Sequence, residues 1–335
     1  MYYKLKRILA PIDFSAQDEQ IITFLSAIAR MVDVEEIFFL HVIPQDHWTK
    51  EPGYSTGQSI EELLESKFAT GVAEHFKDHP TQIHFRIKHG SKAETIVTYA
   101  KNKMIDLIAI GKKRFRPDPS PKPVPEEALK YSHPIEFLTS SPIVEKESSG
   151  YLVRKVANIS PCSMLIIPEN LPATISHVIV PVDFNDASKV AMEKAYEISF
   201  QSANNPKIDC LHVFSAPING FHTGMNYKDW IDSIAEGRRR AFEDFFKKTR
   251  IPERSAVNCK FIHDPEGDSA KVIARYAQQI KASAICIGTE GRSFLASLIL
   301  GDVAERLLAY ELRQPLFIIK DRTKNIGFFD ALFKL

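Results

Sequence analysis

The segment best equipped for chemistry is Gly288-Thr289-Glu290-Gly291, followed nine residues later by Gly301-Asp302-Val303. Glycines let a backbone come close to a ligand and leave its N–H groups free, and a helix N-terminus adds a positive dipole end. Such a loop is suited to binding phosphate. Its spacing is neither the Walker A loop nor the dinucleotide fingerprint. An apolar run before it, Ala284-Ile285-Cys286-Ile287, reads as a buried strand, and Val303, Leu307 and Leu308 behind it fall on one helix face. The loop thus joins a strand to a helix. The same glycines would also serve a tight turn with no ligand.

The elements that must position this loop occur twice. Arg7-Ile8-Leu9-Ala10-Pro11-Ile12-Asp13-Phe14 returns as His177-Val178-Ile179-Val180-Pro181-Val182-Asp183-Phe184, and Leu40-His41-Val42 returns as Leu211-His212-Val213. Gly90 to Ile96 returns as Gly267 to Ile273, and Ile108-Ala109-Ile110-Gly111 as Ile285-Cys286-Ile287-Gly288, both at one offset of 177 residues. Two copies of one domain follow, joined near Pro168 to Pro172. In the second copy, strands are expected at 177–183, 208–214, 257–263, 284–288 and 316–320, and helices at 186–200, 228–248, 269–280 and 302–310. Strands alternating with helices imply a parallel sheet covered on both faces, with ligands bound beyond the carboxyl ends of its strands. Asp183 ends the first of these strands and Gly288 the fourth, so both face one crevice if the two strands are neighbours.

The opening ILxPxDFS strand, the LHV second strand, the HGxxAExI segment, the DLIxIG fourth strand and the closing SPCSMLIIP resemble universal stress protein signatures. The resemblance covers nearly the whole chain, twice. It implies an α/β fold of two tandem doubly wound domains, each a five-stranded parallel sheet in the order 3-2-1-4-5. The expected division is 1–170 for the first domain, with a Pro-rich insertion at about 112–149, 171–322 for the second, and an apolar tail at 323–335. It further implies a stress-linked cytoplasmic role and association of two such domains, within one chain or as a homodimer. Some members of the family bind ATP and others do not.

Carried over from the family's nucleotide-binding members, the resemblance nominates Pro181, Val182, Asp183, Val213, Gly288, Gly291, Gly301, Asp302 and Val303. Asp183 would lie near ribose or metal, the Val213 backbone against adenine, and the glycines around the phosphates. Asp302 stands where the family has Ser or Thr. An ionised aspartate suits an N-cap but only accepts hydrogen bonds. At about 4 Å it repels a phosphate charge by about 4 kcal/mol with an effective dielectric of about 20. A bridging Mg²⁺ or Arg292 would offset this; otherwise the site would prefer a ligand with fewer phosphates, or none, and both ATP and AMP are candidate ligands. The first copy has lost the loop, because Lys112-Lys113-Arg114 follows Gly111 and the next glycine is Gly150. The insertion's Pro117, Pro119, Pro121, Pro123 and Pro125 favour an extended solvated arm.

Composition limits the remaining classes. A net charge of +1 over 335 residues carries no basic surplus for nucleic acid. No apolar run reaches the roughly 18 residues of a membrane span, and Met1 to Lys6 lacks a signal-peptide core. Cys162, Cys210, Cys259 and Cys286 have no CxxC spacing and read as small buried apolar residues in a reducing compartment. His41 and His212 read as structural histidines; His75 and His79, four apart on an expected helix, are the residual metal candidates. Arg238-Arg239-Arg240 reads as a solvated helix face. Three functions are weighed: a nucleotide-responsive stress regulator with slow ATP hydrolysis at most, a non-catalytic interaction module with an unknown protein partner, and an ATP-activating enzyme. The third lacks the SGGxDS and HxGH loops of such enzymes.

Overall fold

Apolar runs bounded by turn residues become strands, and amphipathic stretches between them become the helices that cover the sheet. The computed structural model describes residues 5–44, 60–113, 150–169, 174–201, 207–216, 226–289 and 300–320. The first half runs β1 (Arg7–Ile12), α1 (Ala16–Met31), β2 (Glu36–Ile43), α2 (Ile60–Ala73), β3 (Gln82–His89), α3 (Lys92–Asn102), β4 (Leu107–Lys112), α4 (Tyr151–Ile159) and β5 (Ser163–Pro168). The second runs β6 (His177–Pro181), α5 (Asp186–Gln201), β7 (Lys207–Phe214), α6 (Tyr227–Phe246), β8 (Val257–His263), α7 (Ser269–Gln279), β9 (Ala284–Gly288), α8 (Asp302–Ala309) and β10 (Leu316–Ile319). The expected helices of this half match within two residues at each end. Its first strand stops two residues short, because the chain turns at Phe184 with φ +66°. Phe14 turns the first half in the same way with φ +59°.

Each half carries its five strands in the expected order, and the two sets merge into one sheet: β3-β2-β1-β4-β5-β10-β9-β6-β7-β8. Every pairing is parallel except the central one, where Leu316, Phe317 and Ile318 of β10 oppose Ile166, Leu165 and Met164 of β5. Those strands are apolar and buried on both faces. Left as edges, they would expose rows of unpaired N–H and C=O groups. An antiparallel junction of equivalent edges is what a twofold relation between the halves produces. Within this chain the two halves pair with each other through β5 and β10. The core follows the strand alternation, with Ile8, Ala10, Val178 and Val180 under one face and Leu9 and Ile179 under the other.

Two buried lysines cross the junction in opposite directions. Lys112, at the end of β4, donates to the carbonyls of Leu308 (2.5 Å) and Tyr310 (2.7 Å) at the end of α8. Lys320, just after β10, donates to the carbonyls of Ala157 (2.9 Å) and Ser160 (3.0 Å) at the end of α4. Each half thus satisfies the orphan carbonyls that close the last helix of the other. None of the four cysteines forms a disulfide, and Cys162, Cys210 and Cys286 are buried. No helix among the described residues is long and apolar enough to cross a membrane. The Pro-rich insertion and the apolar tail lie outside the described residues.

Candidate functional site

The carboxyl end of β6 is held by its neighbour β7. Val182 donates its N–H to Leu211 O (2.9 Å), and His212 Nδ1 donates back to Val182 O (2.8 Å). His41 does the same in the first half, donating Nδ1 to Ile12 O (3.0 Å). Both histidines are therefore structural. Burial pushes the His212 pKa down, so the ring is neutral and Nδ1 carries the proton. Asp183 comes next and accepts from Asn185, through the backbone N–H (3.3 Å) and Nδ2 (2.8 Å). Asn185 in turn caps α5, its Oδ1 accepting from the Ser188 N–H at 2.8 Å.

Gly288 ends β9, which lies beside β6 as the crevice requires. A Cβ placed on Gly288 would stand 2.2 Å from Ala187 O and 2.5 Å from Ala187 C, both backbone atoms of the first turn of α5. Gly288 is thus fixed by helix–strand approach, the plain structural role its sequence position also allowed. Across the gap, Gly301 is the N-cap of α8, with φ −63° and ψ 151°. This corrects one expectation. Asp302 is not the cap but the first helical residue, exposed, where its charge complements the helix dipole.

Between these elements lies a cleft of about 310 Å³. Its walls include Pro181, Val182, Asp183, Val213, Gly288, Gly301, Asp302 and Val303, so the fold brings together eight of the ten residues nominated from the sequence. The other two, Gly291 and Arg292, lie outside the described residues. Sequence reasoning missed Asn185, Ser188, Ser269 and Ile273, which also line the cleft. The available signal was positional: Asn185 and Ser188 open α5, and Ser269 opens α7. The first turns of α5, α7 and α8 therefore converge on one cavity, and three positive dipole ends favour an anion there. Against this, the described walls carry two carboxylates, Asp183 and Asp302, and no lysine or arginine. Leu211, Val213, Ile273 and Ile287 supply an apolar side that suits a planar base.

The equivalent place in the first half is smaller, at about 90 Å³. Gln17 and Asp18 stand where α5 has Ala187 and Ser188. Gln17 Nε2 reaches Ile167 O at 2.9 Å and fills the space beside Gly111. Lys113 Nζ pairs with Asp13 at 2.9 Å. Burial, reinforced by Asp13, pushes the Asp18 carboxyl up to about 6. The folded chain therefore holds an extra proton between the unfolded value of 3.8 and about 6, and this group's support for the fold is lost as pH rises through that window. Asp18→Asn is expected to raise the melting temperature at pH 7.5 but not at pH 4.5, as thermal unfolding at the two pH values would record. The lining carries two carboxylates, Asp13 and Asp18, and two lysines, Lys92 and Lys113, the latter already paired with Asp13.

The remaining candidates separate. α2 ends at Ala73, before His75, so His75 and His79 do not share a helix face. His75 Nε2 meets Glu19 at 2.7 Å and His79 Nδ1 meets Thr81 Oγ1 at 2.8 Å. No cluster of three or more His, Cys, Asp or Glu residues placed to hold a metal occurs among the described residues. Arg238, Arg239 and Arg240 lie exposed on α6, the latter two against Glu236.

Fold and cleft together define a class: a tandem doubly wound α/β protein whose second half has the larger cleft at the carboxyl ends of its strands and whose first half has a smaller one. The model of the universal stress protein family matches residues 4–120 and again 174–313, and the chain belongs to that family. It is 26% identical over 151 residues to universal stress protein MJ0531 of Methanocaldococcus jannaschii, spanning 44% of this chain and 84% of that protein. Among solved structures it resembles the functionally unknown protein PA1789 of Pseudomonas aeruginosa PAO1, with a TM-score of 0.62 and 15% identity over 99% of this chain and 98% of that one. A universal stress protein of Archaeoglobus fulgidus matches with a TM-score of 0.57 and 18% identity, over 96% of this chain and all of the other. At these identities the structural matches speak for the fold alone.

Proposed function

We propose that this chain is a cytoplasmic stress-response regulator that binds an adenine nucleotide in the cleft of its second half. The observation that carries this reading is the contrast between the halves: an open cavity of about 310 Å³ in the second and about 90 Å³ at the same place in the first. Adenine would lie on the apolar side against Val213 and Ile273, with the ribose at Asp183 and the first phosphate facing the turns of α5 and α8. A single phosphate gains the dipole ends of α5 and α8 against the Asp302 charge, and each further phosphate adds to that repulsion. The ligand of choice is therefore AMP over ATP, unless Mg²⁺ bridges Asp183 or Asp302 to the phosphates or Arg292 supplies the charge. The proposal assigns no catalytic group, and its output is a change in stability or in a protein partner.

Equilibrium dialysis with labelled AMP and ATP tests this reading. Asp302→Ser is expected to tighten ATP at least about tenfold, or about 1.4 kcal/mol, and to change AMP by less than about threefold. That is a fraction of the full repulsion, because Asp302 is exposed and screened. Uptake of neither nucleotide, by the natural chain or by the serine variant, would leave the interaction module as the function.

A further inference from the structure

Lys112 belongs to the first half, where it ends β4 just after Gly111; the equivalent position in the second half is Thr289, just after Gly288 in the glycine loop. Its side chain is 8% exposed and runs past Gly150, where an added Cβ would stand 3.2 Å from Lys112 Cε. Gly150 holds φ +96°, a conformation suited to glycine, so the backbone there leaves the lysine its passage. The ammonium then reaches across the junction to the carbonyls of Leu308 and Tyr310.

Both acceptors are tied to the cleft. α8 has eight residues and is about 12 Å long, with Ala304, Leu307 and Leu308 buried, so its two ends move as one body. Its first turn, Asp302 to Ala304, is cleft wall. Tyr310, whose carbonyl Lys112 holds, donates its hydroxyl to Asp268 Oδ2 at 2.8 Å, and Arg306 of α8 meets the same oxygen at 2.7 Å. Asp268 is the N-cap of α7, accepting from the Lys271 N–H at 3.0 Å, and α7 supplies Ser269 and Ile273 to the opposite wall. Two walls of the cleft therefore trace back to one ammonium group from the other half.

We infer that Lys112 is a positioning residue for the second half's cleft, so that the half without a glycine loop sets the geometry of the half that keeps one. This inference rests on the nucleotide-binding reading for its ligand, though not for its mechanics. Lys320 provides the matched control: it is also a buried lysine closing a helix across the same junction, but its helix, α4, contributes nothing to this cleft.

The experiment compares the full-length natural chain with Lys112→Met and Lys320→Met at a temperature where circular dichroism finds all three folded. AMP binding is measured by calorimetry and backbone exchange by hydrogen–deuterium mass spectrometry. Lys112→Met is expected to weaken AMP about tenfold, within the usual range of coupling between sites, and to speed exchange across residues 300–310. Lys320→Met is expected to hold AMP within about twofold and to speed exchange in residues 151–160 instead. Equal weakening by both variants would reduce Lys112 to general interface stability, and unchanged AMP binding in Lys112→Met would overturn the inference outright. Should the natural chain take up no AMP, the nucleotide reading falls, and the exchange data alone decide. Faster exchange at 300–310 in Lys112→Met only upholds the positioning role, and equal exchange in both variants removes it. If Lys112→Met does not fold, Lys112→Gln takes its place with the same outcomes.

Discussion

Gly288→Ala is expected to destabilise the chain by about 3 kcal/mol or more, while the same change at Gly111 costs about 1–2 kcal/mol. The two glycines lie at equivalent positions near the ends of the fourth strands of their halves, so sequence alone treats them alike. Their surroundings differ. At Gly288 the new methyl would stand 2.2 Å from Ala187 O, 2.5 Å from Ala187 C and 3.1 Å from Ser188 N. All three are backbone atoms of a helix turn fixed by the Asn185 cap, so β9 and α5 must part. At Gly111 the methyl meets the side chain of Gln17 at 2.7–3.0 Å. That side chain can swing away, losing its bond to Ile167 O and little else. Gly237→Ala calibrates the pair, because Gly237 lies within α6 with nothing inside 4 Å of an added Cβ. There alanine should gain about 0.5–1 kcal/mol from helix propensity. Urea unfolding of the three variants at pH 7 gives the order directly. Equal costs at Gly288 and Gly111 would mean that α5 is not held against β9 as described.

That contrast also marks how far the sequence could be read. The repeat is carried by short apolar strands with fixed punctuation, and strand and helix periods are local properties, so element order and the place of the cleft were legible from Gly288, Asp183 and their counterparts. The fate of the first copy was legible in part. The missing second glycine was plain, but the cavity is filled by Gln17 and Asp18, whose meaning depends on α1 lying over Gly111. Burial against a distant element has no local signature. The merged sheet was hidden for the same reason: Met164 to Ile167 and Leu316 to Ile319 are apolar runs that any covered strand would show. The lysines were least legible of all. A lysine after an apolar strand ordinarily ends in solvent, and only the arrival of a helix C-terminus from the other half turns Lys112 and Lys320 into buried donors.

Lys320→Met should therefore cost about 2 kcal/mol at pH 7, since it leaves the carbonyls of Ala157 and Ser160 buried without their donor. The size of that cost should depend on pH, with a sign that follows from burial. Lys320 is 5% exposed, and burial pushes its ammonium down to about 8 from the ordinary 10.5. Between those values the unfolded chain holds a proton at this lysine that the folded chain has released. Stability contributed by Lys320 therefore rises with pH across this window and is flat below it. The neutral amine still donates to both carbonyls, so the contact survives the loss of charge. Methionine has no such proton to lose, and every other titrating group is common to both proteins. The gap between natural chain and variant should then widen from pH 8 to pH 10, by up to about 3 kcal/mol for a shift of this size. Guanidinium unfolding at pH 7, 8, 9 and 10 measures it. A gap that narrows as pH rises would show that the two carbonyls and the α4 dipole outweigh burial and hold Lys320 charged beyond its ordinary range. The junction between the halves would then be an electrostatic clasp rather than a buried donor.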